Sequence, residues 1–137
     1  MEENDLDGVA DQRRRLVVDA MNVIGSRPTG WWRDRRGAMA GLVEELVRYA
    51  ETTGEPVTVV LDSRPFPLET GQVDVHFAFP GRDAADDAIV EMLANDSDPS
   101  SFVVATSDKG LIDRVRELGG QTMRAGALRR RLDELHA

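Results

Sequence analysis

The chain has 137 residues, a formal charge of −8, 41% hydrophobic and 31% charged residues, and no cysteine. That length suits a single core, the composition argues against global disorder, and the missing thiols exclude disulfides, thiolate metal sites and a cysteine nucleophile. With only His76 and His136 present, His-rich metal centres and most Ser-His-Asp schemes lose their donors, which leaves carboxylates, hydroxyls, amides, arginines and one lysine.

No apolar run approaches the ~20 residues that span a bilayer. The acidic start MEENDLDGVADQ lacks the basic-then-apolar pattern of a signal peptide, so no membrane contact and a cytoplasmic location are expected. Residues 1–12 carry five acids and no base and read as a disordered acidic tail ahead of one domain over 13–137. The bases are sixteen arginines and the lone Lys109, clustered at Arg13–Arg15, at Arg33, Arg35 and Arg36, and at Arg129–Arg131. Arginine suits bidentate phosphate contact. Each cluster reads equally well as a solvated face.

Arg15 to Ala20 is a short apolar run closing on Asp19, as expected of a buried parallel strand. Gly25 to Gly30 is loop by its Gly and Pro content. From about Arg33 to Thr53 the positions Met39, Leu42, Val43, Leu46, Val47 and Ala50 recur at helical spacing, and Gly54 ends that helix. Val57 to Leu61 is a second buried strand, followed by Asp62 and an irregular stretch in which Pro65 and Pro67 oppose regular pairing. Gln72 to Phe79 alternates, with Val73, Val75, Phe77 and Phe79 on one side, and predicts a strand exposed on one face. Asp83 to Asn95 predicts a helix through Ile89, Val90 and Leu93. Ser101 to Ala105 is another buried strand, then come Thr106-Ser107-Asp108, a helix from Lys109 to Leu118, a short strand from Gln121 to Arg124, and a helix from Ala127 to Leu135.

Alternating strands and helices with short connections predict a parallel sheet with helices on both faces. The site of such a fold lies beyond the carboxyl ends of the strands. Asp19, Asp62, Asp86 and Asp108 all fall there. Converging carboxylates repel unless protonated or cation-bound, and hard oxygen donors in an open pocket suit one or two Mg²⁺ or Mn²⁺ ions. The matching chemistry is phosphodiester hydrolysis, with one ion acidifying the attacking water and a second, roughly 3.5–4 Å away, stabilising the leaving oxygen. Asp86 shares a helical face with Ile89, Val90 and Leu93 and should point to the sheet end, whereas Asp87 lies about 100° round and either supports a ligand from behind or faces solvent.

Val18-Asp-Ala-Met-Asn22-Val-Ile, Val59-Val-Leu-Asp62, Ala85-Asp86-Asp87-Ala-Ile89 and Thr106-Ser107-Asp108-Lys109-Gly-Leu111 resemble, in the same order, the motifs of YacP-like NYN domains, in the PIN-like group of metal-dependent ribonucleases. The resemblance covers roughly residues 14–135. It implies a three-layer α/β domain, a five-stranded parallel sheet of order 3-2-1-4-5, and endoribonuclease activity on single-stranded or structured RNA, in processing or decay. Carried over, Asp19, Asp62, Asp86 and Asp108 match the catalytic acids, with Asp19, Asp86 and Asp108 as metal ligands, and Asn22 matches the amide beside the first acid. Ala20 stands where glycine is usual and Met21 where an aromatic is often found; neither position supplies a ligand.

Around these acids, Asn22 is expected to orient a phosphate or a water, or merely to fix its turn. Ser107 and Lys109 are substrate contacts or ordinary helix-start residues. Arg33 and Arg64 are candidate phosphate contacts on the loops after the first and second strands. Of Trp31 and Trp32 one should pack on the core; Trp31 is the candidate for stacking on an unpaired base. His76 is structural or solvent-facing. A haloacid dehalogenase-type site needs a second Asp where Met21 stands, and a receiver domain needs its Lys after a fifth strand, whereas Lys109 follows the fourth. The remaining alternative is an inactive RNA-binding or protein-interaction module of the same fold. RNA is the expected partner, and the oligomeric state, a homodimer included, is left open.

Overall fold

In the computed structural model, residues 14–81 and 83–136 are described; the expected acidic tail lies outside them. Strand β1 (Arg15–Asp19) is the centre of the sheet, because Leu16, Val17, Val18 and Asp19 are all buried and both faces need cover. It pairs in parallel with β2 (Val57–Leu61) and β4 (Phe102–Ala105). Strands β3 (Asp74–Phe77) and β5 (Gln121–Met123) close the edges, giving the expected order β3-β2-β1-β4-β5.

Side-chain alternation divides the core into two layers. Leu16, Val18, Val59 and Leu61 pack with α1 (Ala20–Ile24), α2 (Arg35–Thr53) and α5 (Ala125–Leu135) on one face. Val17, Val60 and Val104 pack with α3 (Ala84–Ala94) and α4 (Lys109–Glu117) on the other. Gly120, between α4 and β5, admits no side chain, since a Cβ there would meet Leu93 Cδ2 at 2.6 Å and Val115 Cγ1 at 2.9 Å. Gly120→Ala is therefore expected to cost about 1–3 kcal/mol by overpacking. Equal urea midpoints for variant and wild type would contradict this.

Several boundaries differ from those expected. The chain after β1 forms α1 at once, burying Ala20, Val23 and Ile24; one turn is too short to show a period. Helix α2 begins at Arg35, not Arg33, because Asp34 caps it by accepting the Gly37 N–H at 3.0 Å. Helix α5 begins at Ala125, two residues earlier than its apolar period suggests. Strand β3 ends at Phe77, so the alternation stops there: Ala78 turns inward and donates its N–H to the Leu61 carbonyl at 2.8 Å, while Phe79 is exposed.

Two of the basic clusters are split by the fold. Buried Arg129 donates to Glu45 and Asp133, and Arg15 forks onto Asp96 at 2.8 and 2.9 Å with its guanidinium over Phe102. Both are structural, whereas Arg130 and Arg131 remain exposed.

Candidate active site

Asp19 ends the central strand, is 7% exposed, and has the side-chain parity of Val17, so it leaves the sheet on the α3–α4 side. The β1–β4 register, with Val18 beside Ala105, brings Thr106 next to it. Fully buried Thr106 donates its hydroxyl to Asp19 Oδ2 at 2.8 Å and accepts the Asp108 N–H at 3.1 Å. Asp108 in turn caps α4, its Oδ1 accepting the Leu111 N–H at 3.1 Å. One hydroxyl thus ties the acid after β1 to the acid after β4. Sequence reasoning named Thr106 within the motif after the fourth strand but gave it no role, which only the pairing of the first and fourth strands signals by setting 106 beside 19.

Asp86 lies half-buried in the first turn of α3, while Asp87 is exposed and pairs with Arg114 at 3.1 Å. This is the division that their positions on one helix predict. Burial pushes the Asp19 carboxyl up to about 6; the Thr106 hydroxyl and the Asn22 backbone N–H oppose the rise, and the charges of Asp86 and Asp108 add to it. Asp86 is also raised, first by burial, then by Asp108 and Asp83, against the opposing pull of Arg114. Three acids therefore share one electrostatic environment.

Asp62 departs from the expected set of four. Strand β2 ends at Leu61, the Ser63 N–H folds back onto the Leu61 carbonyl at 3.0 Å, and the Asp62 carboxylate lies 3.8 Å from the Arg35 guanidinium. Among the described residues no three His, Asp or Glu side chains are drawn together tightly enough to hold an ion by themselves. The donor set fits Mg²⁺ or Mn²⁺ nonetheless: it is all carboxylate oxygen, and such ions keep several waters and take only one or two carboxylates directly.

The neighbouring candidates are placed as follows. The Asn22 side-chain oxygen accepts the Ser107 N–H at 2.8 Å, and the Ser107 hydroxyl accepts the Ala125 N–H at 3.0 Å, so the two bonds tie α1, the loop after β4 and the start of α5 together. Lys109 is exposed and pairs with Asp113 at 3.2 Å. Trp31 is partly buried against the core and meets Trp32 edge-on at 5.9 Å between ring centroids, whereas Trp32 is 58% exposed. The indole open for stacking is therefore Trp32, a correction to the expectation for Trp31. Arg33 and Arg64 are exposed, Arg64 with its guanidinium 4.5 Å from the Phe79 ring centroid, and His76 faces solvent.

The family model described as the YacP-like NYN domain matches residues 16–137. The chain belongs to this family. Among solved structures it is similar to a tryptophan-to-leucine mutant of Rae1 (YacP) from Bacillus subtilis, with 25% identity, a TM-score of 0.73, and coverage of 88% of this chain and 76% of that one. The Rae1 (YacP) crystal structure without that substitution matches at 24% identity and the same TM-score, covering 89% and 75%. No curated protein matches the chain. In this chain Asp19 closes β1, Asp86 lies in the first turn of α3 and Asp108 stands in the loop after β4.

Proposed function

We propose that this YacP-like NYN domain is a divalent-metal-dependent endoribonuclease, taking RNA as substrate and Mg²⁺ or Mn²⁺ as cofactor, and acting in RNA processing or decay. The observation that carries this reading is Asp19: a buried carboxylate at the end of the central strand, in the field of Asp86 and Asp108. Asp19, Asp86 and Asp108 would hold the metal, with water and phosphate oxygens completing its shell. When bound, the metal neutralises charge at the scissile phosphate and acidifies the attacking water. Thr106 fixes the Asp19 carboxylate, Asp108 is held at the start of α4 by its own cap, and exposed Lys109 offers a cation to the phosphate backbone.

The test is cleavage of end-labelled RNA with Mn²⁺ and with EDTA. The expected products carry 5′-phosphate and 3′-hydroxyl ends, because in-line attack by water expels the 3′ oxygen. Products ending in 2′,3′-cyclic phosphate, or cleavage that continues in excess EDTA, overturn the reading. A non-cutting RNA-binding or protein-interaction module is the second reading, favoured by the engagement of Asp62 with Arg35; it predicts that no RNA is cut in Mn²⁺.

Thr106 supplies a further check. Thr106→Val removes the hydroxyl that orients Asp19 and leaves the Asp108 N–H without its acceptor. Cleavage is expected to fall about 10–100-fold, the usual effect of losing a group that orients a ligand, and Thr106→Ser should restore it. A Thr106→Val enzyme as active as wild type would remove Thr106 from the site.

A further inference from the structure

Two features flank the three acids on opposite edges of the sheet, and Phe79, Arg116 and Arg124 within them take no part in the chemistry above. Among the described residues the exposed large hydrophobic side chains are Trp32, Phe79 and Leu135. Phe79, 47% exposed, sits two residues beyond β3 on the carboxyl edge, and the Arg64 guanidinium lies over its ring at 4.5 Å. A phenyl ring left about half exposed keeps apolar surface in water in the free protein. Beside a guanidinium it matches a nucleotide, whose base stacks on the ring and whose phosphate meets the cation.

At the other edge a cleft of about 470 Å³ is lined by Thr106, Ser107, Lys109, Arg116, Thr122 and Arg124. Asp113, also on its wall, is its one acid and pairs with Lys109, so positive charge is in excess there although the chain as a whole is −8. The cleft is walled by the threonine whose hydroxyl binds Asp19 and therefore borders the acid site. The sheet order separates Phe79 from the loop after β5 by the width of the sheet, roughly 19 Å at ordinary strand spacing. Asp19 and Asp108 lie between.

We propose that RNA crosses the acids as an unpaired strand, with a base stacked on Phe79 at the β3 edge and phosphates held by Lys109, Arg116 and Arg124 at the β5 edge. The inference rests on the ribonuclease reading and adds the residues that hold the strand on either side of the acids. A duplex keeps its base faces stacked on one another and offers none to Phe79, so the track selects single-stranded segments, whereas the basic cleft is indifferent to sequence.

The test is binding in EDTA, where no cleavage is expected, to a short labelled single-stranded RNA and to the same RNA annealed to its complement, over a range of salt. Wild type should bind the single strand about tenfold more tightly than the duplex. Phe79→Ala should lose about that tenfold for the single strand only, with an unchanged salt slope, and Phe79→Tyr should retain binding. The double variant Arg116→Ala/Arg124→Ala should flatten the salt slope by about 0.7 for each phosphate it no longer neutralises. All three positions are exposed, so the variants should melt like wild type. The track is overturned by equal binding of single strand and duplex, by a Phe79→Ala protein that binds like wild type (the ring would then serve a protein contact), or by an unchanged slope in the arginine variant. Those failures with RNA cleavage intact leave the ribonuclease reading standing. The expected binding without cleavage in Mn²⁺ overturns that reading and keeps the track, and a wild type that binds neither RNA overturns both.

Discussion

Asp86→Asn and Asp108→Asn are each expected to reduce RNA cleavage by at least about 100-fold, since groups that merely orient a metal ligand already cost 10–100-fold when lost. The same substitutions should raise thermal stability in EDTA. Asp86 is half-buried and its pKa is raised by burial and by neighbouring acids including Asp108, so removing either charge relieves repulsion that the native state otherwise contains. Asp108→Asn also keeps the cap of α4, because asparagine caps about as well as aspartate. Wild type should gain roughly 2.7 kcal/mol from Mn²⁺ at 100 times its dissociation constant, a melting shift of several degrees at this chain length. The two variants should gain little. Equal metal-induced shifts in all three proteins would show that the ion binds elsewhere.

Without metal, stability should fall as pH rises from about 4 to about 6. Asp19 has a folded-state pKa of about 6 against 3.8 for an ordinary aspartate, chiefly through burial. Below the ordinary value it is protonated in both states and contributes no difference. Between the two values the unfolded chain has released the proton and the native state holds it, so stability declines; above about 6 the full penalty of a buried charge remains. The size is about 2–3 kcal/mol, and Asp19→Asn should remove most of the slope, leaving the smaller part that the raised Asp86 carboxyl contributes in the same sense. Asp96 acts in the opposite sense in a more acidic window: hydrogen bonds from Arg15 hold it down to about 2, so its contribution is present above the ordinary carboxylate pKa and disappears as pH falls toward 2. Denaturant titrations from pH 3 to pH 8 in EDTA separate the two. A flat wild-type profile between pH 4 and 6 would show that Asp19 is not buried as a charge.

The buried strands were legible because a parallel strand covered on both faces must be apolar at every position, as Leu16-Val17-Val18, Val57 to Leu61 and Phe102 to Ala105 are. The acids at their ends were legible for the related reason that a carboxylate closing such a run has to lie at the carboxyl edge. Helical spacing alone separated inward Asp86 from outward Asp87. By contrast, the attachment of Thr106 to Asp19, of Asn22 to Ser107 and of Asp62 to Arg35 joins residues 27 to 87 positions apart. The choice of Trp32 over Trp31, and of Ala78 over Phe79 for the core, depends on where one turn ends and what packs behind it. The chain's own order of apolar runs and carboxylates determined the sheet and the edge that bears the acids, because burial on two faces acts on each strand locally. Which acids share a field, and which aromatic rings reach solvent, was decided by strand register and loop closure, since these contacts exist only once distant segments are packed together.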